Sequence, residues 1–361
     1  MRLNYIVNID FNGTTARSVQ VQSNASAFGK LLGNDFKCVG VGKTTPPLIG
    51  LWVAGIKRNS SLPRKVLFHL QSIFYFANTD IIYSRNLTIL FLASLFRKRV
   101  VFEIHDSLSG LNYRLFSHLK GKIRVIAISL ALKKYLCDEF DFSSDRILVA
   151  HDGVFLKSYN ELRNKAKHLI RKQLCLPANN FLIMHSGNLY KGRGAELFEI
   201  ILREFPDIYL VQVGGTLEDI KKWKSHYNQY PNIFFTGFQP QERMIQYQMS
   251  ADLLFLPMTR RSPIWWCTSP MKLFEYMATG IPILASTVGS VGEILNEENC
   301  FVFDPDTEDS LKKALKQCIE RPALRTQKAL NSLALVTREY TWDVRGNTII
   351  DFIRKQFHFD F

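Results

Sequence analysis

The segment Thr268-Ser269-Pro270-Met271-Lys272-Leu273-Phe274-Glu275-Tyr276-Met277-Ala278-Thr279-Gly280 reads as a helix with its punctuation written in. Ser269 suits the N-cap, Pro270 the first helical position, where its missing N–H costs nothing, and Gly280 the end. Leu273, Phe274 and Met277 form the face that packs on a sheet. Lys272 is the misfit, because a cation in the first turn opposes the helix dipole by ~0.3–1 kcal/mol unless an anion is held there. A phosphate bound by the first-turn amides of Met271 and Leu273 removes the conflict. Glu275 lies three residues on, shares the face of Lys272, and is a carboxylate that can accept the two hydroxyls of a ribose. The plain alternative is a Lys272–Glu275 pair on a solvated face. Cap, proline, cation and carboxylate coincide after a strand and a loop, which favours a ligand site.

A second segment carries compatible chemistry. His185-Ser186-Gly187-Asn188-Leu189-Tyr190-Lys191-Gly192-Arg193-Gly194 lies between a strand and a helix entry. Its glycines let backbone amides approach a ligand closely, and Lys191 and Arg193 add positive field, so it suits a phosphate cradle. It is neither a P-loop nor a strict G-x-G-x-x-G, and an ordinary glycine-rich turn fits it equally well.

The elements needed to position these segments alternate along the chain. Leu3 to Ile9 reads as a strand and Val19 to Leu32 as a helix. Asp80 to Tyr83, Val100 to Ile104, Arg124 to Ile128 and Ile147 to Ala150 are apolar runs suited to strands buried on both faces, with helices such as Leu87 to Phe96 and Leu130 to Phe140 between them. A Lys, Arg and Asn-rich stretch from His151 to Pro177 marks a junction. Strands then recur at Phe181 to His185, Ile208 to Val213, Ile233 to Thr236, Leu253 to Leu256 and Ile281 to Ala285. The pattern predicts an α/β protein of two Rossmann-like, doubly wound parallel-sheet domains facing a cleft, with ligands at the carboxyl ends of the strands. The expected boundaries are 1–165, 166–339 and a helix over 340–361 that packs back on the first domain.

The 361 residues, 47% hydrophobic and 22% charged, have ordinary globular composition and the length of two domains. A formal net charge of +14 calls for an anionic partner without choosing among nucleic acid, membrane and phosphorylated small molecule. The six cysteines are scattered, with no C-x-x-C pair to suggest zinc, and suit a reducing cytoplasm. The apolar run at the N-terminus is interrupted by Asn4, Asn8 and Asp10, unlike a signal peptide, and no run approaches the ~20 residues of a membrane span. A cytoplasmic protein, at most peripheral at the inner face of a membrane, is the expectation. Leu51 to Phe76 interleaves Lys57, Arg58, Arg64 and Lys65 with apolar residues, as an interfacial helix does. Solvated basic loops over a buried helix fit the same residues.

On these motifs the sequence resembles the family 4 retaining glycosyltransferases of the GT-B type, most strongly from Phe181 to Asp304. The family's G-R-L-x-x-x-K-G loop corresponds to Gly187 to Gly194, with Asn188 in place of its Arg and Arg193 in place of its Lys. Both family residues bind the donor diphosphate, so Lys191 and Lys272 are the candidates to replace the charge absent at Asn188. The second Glu of the E-x7-E signature is Glu275, which the resemblance makes the ribose ligand; the first falls on Cys267, as in the subgroup with S-P-x-K-L-F-E-Y-M-A. Thr236, Gly237 and Phe238 match the turn that holds the base. In Glu103-Ile104-His105-Asp106, His105 matches the histidine beside the transferred sugar, although a lone histidine at a strand end is more often structural. Phe11 to Ser18 matches the family's first loop, with Arg17 near an anionic acceptor.

The resemblance implies a retaining hexosyltransferase working without a metal or other cofactor, with His105, Arg193 and Lys272 in catalytic roles. Its donor substrate would be a nucleoside diphosphate sugar, UDP-sugar in preference to GDP-sugar, and its acceptor a glycan or lipid-linked glycan of cell-surface polysaccharide or glycoconjugate synthesis. A sugar-nucleotide epimerase of the same fold is the enzymatic alternative. A basic nucleic-acid-binding protein is the alternative of another class, disfavoured because no motif of that kind occurs and the aromatics follow core spacing.

Overall fold

The computed structural model describes residues 1–11, 13, 15–41, 48–51, 62–190 and 192–359. The chain divides into two units, Met1–Asp152 with Trp342–Phe361, and Gly153–Thr341. In the first unit strands β1 (Leu3–Asp10), β2 (Phe36–Val41), β3 (Leu48–Leu51), β4 (Ile81–Ser84), β5 (Arg99–Ile104), β6 (Ile123–Ala127) and β7 (Ile147–Val149) alternate with helices. These are α1 (Ala16–Leu32), α2 (Leu62–Ser72), α3 (Leu87–Leu95), α4 (Gly110–Leu119) and α5 (Leu130–Phe140). All strand pairs are parallel, in the order β3-β2-β1-β4-β5-β6-β7.

The second unit begins with α6 (Lys157–Arg163) and α7 (Lys167–Gln173). It continues through β8 (Phe181–Ser186), α8 (Phe198–Glu204), β9 (Ile208–Val213), α9 (Leu217–His226), β10 (Ile233–Gly237), α10 (Gln241–Ser250), β11 (Leu253–Leu256) and α11 (Met271–Thr279). It closes with β12 (Ile283–Ser286), β13 (Phe301–Phe303), α12 (Glu308–Glu320) and α13 (Pro322–Glu339). Its parallel sheet runs β10-β9-β8-β11-β12-β13. Both orders match the classic doubly wound sheet, with the reversal point between β1 and β4 in one unit and between β8 and β11 in the other.

Burial explains the strands. Ile81–Ser84, Leu253–Leu256 and Ile283–Ser286 are buried at every position, as strands covered by helices on both faces must be. Caps explain several helix starts. Thr15, Asn86, Ser129 and Thr216 each accept an N–H of the first turn, Asn86 Oδ1 from Thr88 at 2.9 Å.

Three strands escape the sequence pattern: β2, β3 and β13, the last two only four and three residues long. The interfacial helix expected over Leu51 to Phe76 is also shorter. Leu51 ends β3, α2 runs Leu62–Ser72, and Lys57 and Arg58 lie outside the described residues. Cross-strand pairing with β2 outweighs the helical spacing at Leu51.

The last helix, α14 (Trp342–Phe357), packs on α1 within the first unit, where Gly346 lets the two backbones close up. A Cβ at Gly346 would stand 2.9 Å from that of Ala27. Arg345 enters the interior of the unit with its side chain 2% exposed and pairs with Glu103 at 3.2 Å. It also donates to His151 O at 2.9 Å and to the amide oxygen of Asn24. A buried ion pair with one partner deleted leaves an uncompensated charge, so Arg345→Met should cost the first unit about 3–5 kcal/mol, read by urea unfolding; a loss below about 1 kcal/mol would show the pair to be dispensable.

Candidate functional site

The carboxyl edge of the second sheet collects most of the residues singled out from sequence. The loop after β8 and the helix after β11 flank the reversal point of strand order, where a crevice opens in such sheets. Gly187 N–H donates to Val213 O at 2.9 Å and Gly214 N–H to Gly237 O at 2.8 Å, so the ends of β8, β9 and β10 form one glycine-lined edge. Thr236 and Gly237 end β10, and Phe238 beyond them is 67% exposed, an open aromatic face at the rim.

Helix α11 grips the end of β8 with two side chains one turn apart. Tyr276 Oη accepts the Ser186 N–H at 2.8 Å and bonds its hydroxyl at 2.9 Å. Lys272 Nζ donates to Ser186 O and to His185 Nε2, each at 3.0 Å. The start of α11 differs by one residue from the sequence reading. Pro270 occupies the N-cap position in extended conformation and has no side-chain acceptor, so Ser269 stands one residue before the cap. Leu273 N–H donates to Pro270 O at 2.9 Å, and Met271 opens the first turn, where an N–H lacks a partner within the helix. The helix stops at Gly280, which is in the left-handed conformation.

Lys272 does not pair with Glu275. It is only partly exposed, and burial first and the charge of Arg193 second bring its ammonium down to about 7. Arg193 stacks on Tyr190, 4.7 Å from the ring centroid, and donates to its hydroxyl. Its Nε is buried with no hydrogen-bond partner among the described residues, as are Thr259 Oγ1 and Ser262 Oγ on the facing loop. Gly192 makes that contact, since a Cβ there would meet Ser262 N at 2.4 Å, and its φ of +85° is one that L side chains rarely adopt. Asn188 is exposed at the tip, and Lys191 lies outside the described residues.

Glu275 is held by α10. Gln248 Nε2 donates to one carboxylate oxygen at 3.1 Å and Gln241 Nε2 to the other at 3.4 Å, while Tyr159 Oη donates to Gln248 Oε1 at 3.1 Å. Burial raises the Glu275 carboxyl, and the glutamine hydrogen bonds oppose that rise. Cys267 is fully buried, its thiol against Ile264 O.

His105 belongs to the first unit, just beyond β5. Its Nε2–H donates to Glu103 at 2.5 Å, which leaves Nδ1 as the other ring nitrogen. Burial first, then Arg85, lowers the imidazole to about 4 despite Glu103, so it is neutral at neutral pH. Burial would raise Glu103, but Arg345, His105 and Arg85 hold it well below the usual carboxylate range. Arg17, at the start of α1, is exposed.

Sequence reasoning passed over His185, Gln212, Gln241, Gln248 and Arg345 as functional groups. The signal for two of them was present: His185 and Gln212 are polar positions inside otherwise apolar strands, where a buried polar side chain has to serve a partner.

The chain is similar to known glycosyltransferases in sequence and in fold. The chain is 22% identical over 56% of its length to the GDP-mannose-dependent monoacylated alpha-(1-6)-phosphatidylinositol monomannoside mannosyltransferase of Corynebacterium glutamicum, over 55% of that protein. It is 27% identical over 56% of its length to the putative teichuronic acid biosynthesis glycosyltransferase TuaC of Bacillus subtilis, over 49% of that protein. The chain thus spans about half the length of the curated relatives it matches. Among solved structures, the Anabaena protein HepE in complex with UDP-glucose superposes with a TM-score of 0.78 at 18% identity, over 98% of this chain and 100% of that one. The fold is therefore that of the GT-B glycosyltransferases. Residues 167–332, which contain every group of the second unit's site from Gly187 to Gly280, match the family model described as Glycosyl transferases group 1, and this supports that general family for the chain.

Proposed function

We propose that the protein is a glycosyltransferase that moves a hexosyl unit from a nucleoside diphosphate sugar to the hydroxyl of a glycan or lipid-linked glycan, with the anomeric configuration retained. One observation carries the reading. Lys272 reaches the start of the Gly187 loop, burial and then the charge of Arg193 lower its ammonium, and Arg193 Nε has no hydrogen-bond partner among the described residues. Two like charges held together this way favour an anion between them, and a diphosphate supplies it.

Chemically, the bond from the sugar C1 to the diphosphate oxygen breaks while one to the acceptor oxygen forms, and negative charge grows on the departing phosphate. Arg193, Lys272 and the first-turn amide of Met271 meet that charge in a partly dehydrated site. Glu275, already oriented by Gln241 and Gln248, accepts the ribose hydroxyls, and Thr236 to Phe238 receive the base. The UDP-glucose complex of HepE supports a UDP-sugar in preference to a GDP-sugar, although the Corynebacterium relative is named for GDP-mannose. With Cys267 buried, the sugar hydroxyls fall to other groups of the rebuilt loop from Arg260 to Thr268. His105 is assigned to the transferred sugar on the family resemblance.

The acceptor reading extends to an anionic membrane surface. Val66, Leu70 and Phe74 repeat at helical spacing, and Phe74 is 83% exposed; with Leu95, Phe96 and Arg97 they give the first unit apolar groups beside a cation. No helix of the described residues is long and apolar enough to cross a membrane.

Glu275→Ala should lower UDP affinity about 100-fold or more, the worth of two hydrogen bonds to a charged group; an unchanged calorimetric Kd would remove Glu275 from the site. Arg193→Ala should reduce kcat about 100- to 1000-fold with little change in acceptor KM, as expected for a group that acts on the developing charge, and undiminished turnover would refute that role. Transfer should also survive EDTA; its loss, with recovery on added magnesium, would assign leaving-group stabilisation to a metal.

A further inference from the structure

We propose that His185, held by Gln212, is a positioning residue that aims Lys272 at the diphosphate of the donor. The inference rests on the donor-site reading above and assigns a role to two buried side chains which that reading leaves idle.

Gln212 is fully buried on β9, and its Nε2 donates to Gly187 O at 3.0 Å and Val213 O at 3.1 Å. Those carbonyls accept only, so they fix the orientation of the amide and make Gln212 Oε1 an acceptor. His185 Nδ1 lies in hydrogen-bond contact with that oxygen and must carry the ring proton. The Nε2 lone pair is then left to accept from Lys272 at 3.0 Å. Phe198 packs edge-on against the imidazole, centroids 5.4 Å apart, and blocks rotation of the ring. Burial first, and the charges of Lys272 and Arg193 after it, keep the imidazole neutral.

An ammonium has three donors. Two are taken by His185 and Ser186 O, and the third is left beside Gly187, since Nζ is 3.7 Å from where a Cβ of that glycine would stand. A long, flexible side chain is thereby reduced to one rotamer before the ligand arrives, which cuts the ordering cost of binding. Besides His185, the charged groups that face Lys272 among the described residues are Arg193, from the loop after β8, and Glu275, on α11. A bound diphosphate favours the ammonium over the free amine, so binding on the alkaline side of neutrality takes up a proton at Lys272, and affinity falls as pH rises.

His185→Phe keeps the ring and its contact with Phe198 but removes the acceptor; His185→Gln keeps an acceptor near the place of Nε2. Calorimetry of the full chain with UDP, inorganic pyrophosphate and uridine, on both sides of neutrality, tests the proposal. His185→Phe should weaken UDP and pyrophosphate together by about 10-fold, the worth of a hydrogen bond to a charged group, while leaving uridine unchanged, and His185→Gln should restore most of the loss. A purely structural role would lower Tm without separating pyrophosphate from uridine. If wild-type protein binds UDP and His185→Phe binds UDP and pyrophosphate equally well, the positioning role is overturned. If wild-type protein binds neither UDP, GDP nor ADP, the donor-site reading itself fails. Should His185→Phe not fold, nitrogen-15 NMR of wild-type protein decides: the Nδ1–H tautomer at His185 is required, and the Nε2–H tautomer overturns the proposal.

Discussion

The double attachment of α11 to the end of β8 is the constraint on which the candidate donor site depends. Lys272 and Tyr276 lie one turn apart on the helix and hold the carbonyl and the amide of the same residue, Ser186. Neither segment would make a phosphate site alone. The Gly187 loop is a glycine-rich turn, and the start of α11 is a first turn whose N-cap residue, Pro270, makes no side-chain cap. Joined through Ser186, they become two walls of one cradle, at the place where a doubly wound sheet opens a crevice.

The two units treat buried charge in opposite ways. In the first, Glu103 is surrounded by Arg345, His105, Asn24 and Tyr83, so its charge is compensated and fixed. In the second, two cations stand together and Arg193 keeps an unpartnered Nε among the described residues. A compensated network rigidifies a core, whereas an uncompensated one stores unfavourable interaction that a ligand can relieve.

Most of the fold was legible in the sequence because buried parallel strands write continuous apolar runs, and most runs from β1 to β12 could be read that way. β2 and β3 escaped because pairing with a neighbour, rather than any periodicity of their own, makes them strands. The same asymmetry holds at the site. Lys272 and Glu275 were visible because they break the rules of a helix start and share a face. The groups that orient them were not: Gln248 reaches Glu275 from α10, and Gln212 reaches His185 across neighbouring strands, contacts that only the tertiary fold creates. Ser269 falls one residue before the N-cap because Pro270 already stands outside the helix.

The return of α14 to the first unit has a consequence for how the protein is made. Val154 pairs with Thr341 in a parallel bridge, so the second unit is an insertion whose two ends leave and re-enter side by side. The sheet of the first unit is synthesised before the insertion, yet the guanidinium that neutralises its buried Glu103 comes from Arg345, after it. On the ribosome, the earlier sheet has only Arg85 and His105 to offset this carboxylate while the later unit is translated. Completion of the first unit is therefore timed by the emergence of Trp342–Phe357, and a chain cut short before that helix would keep the residues of the second unit but lose the packing of α14 on α1 and the Arg345 partner of Glu103.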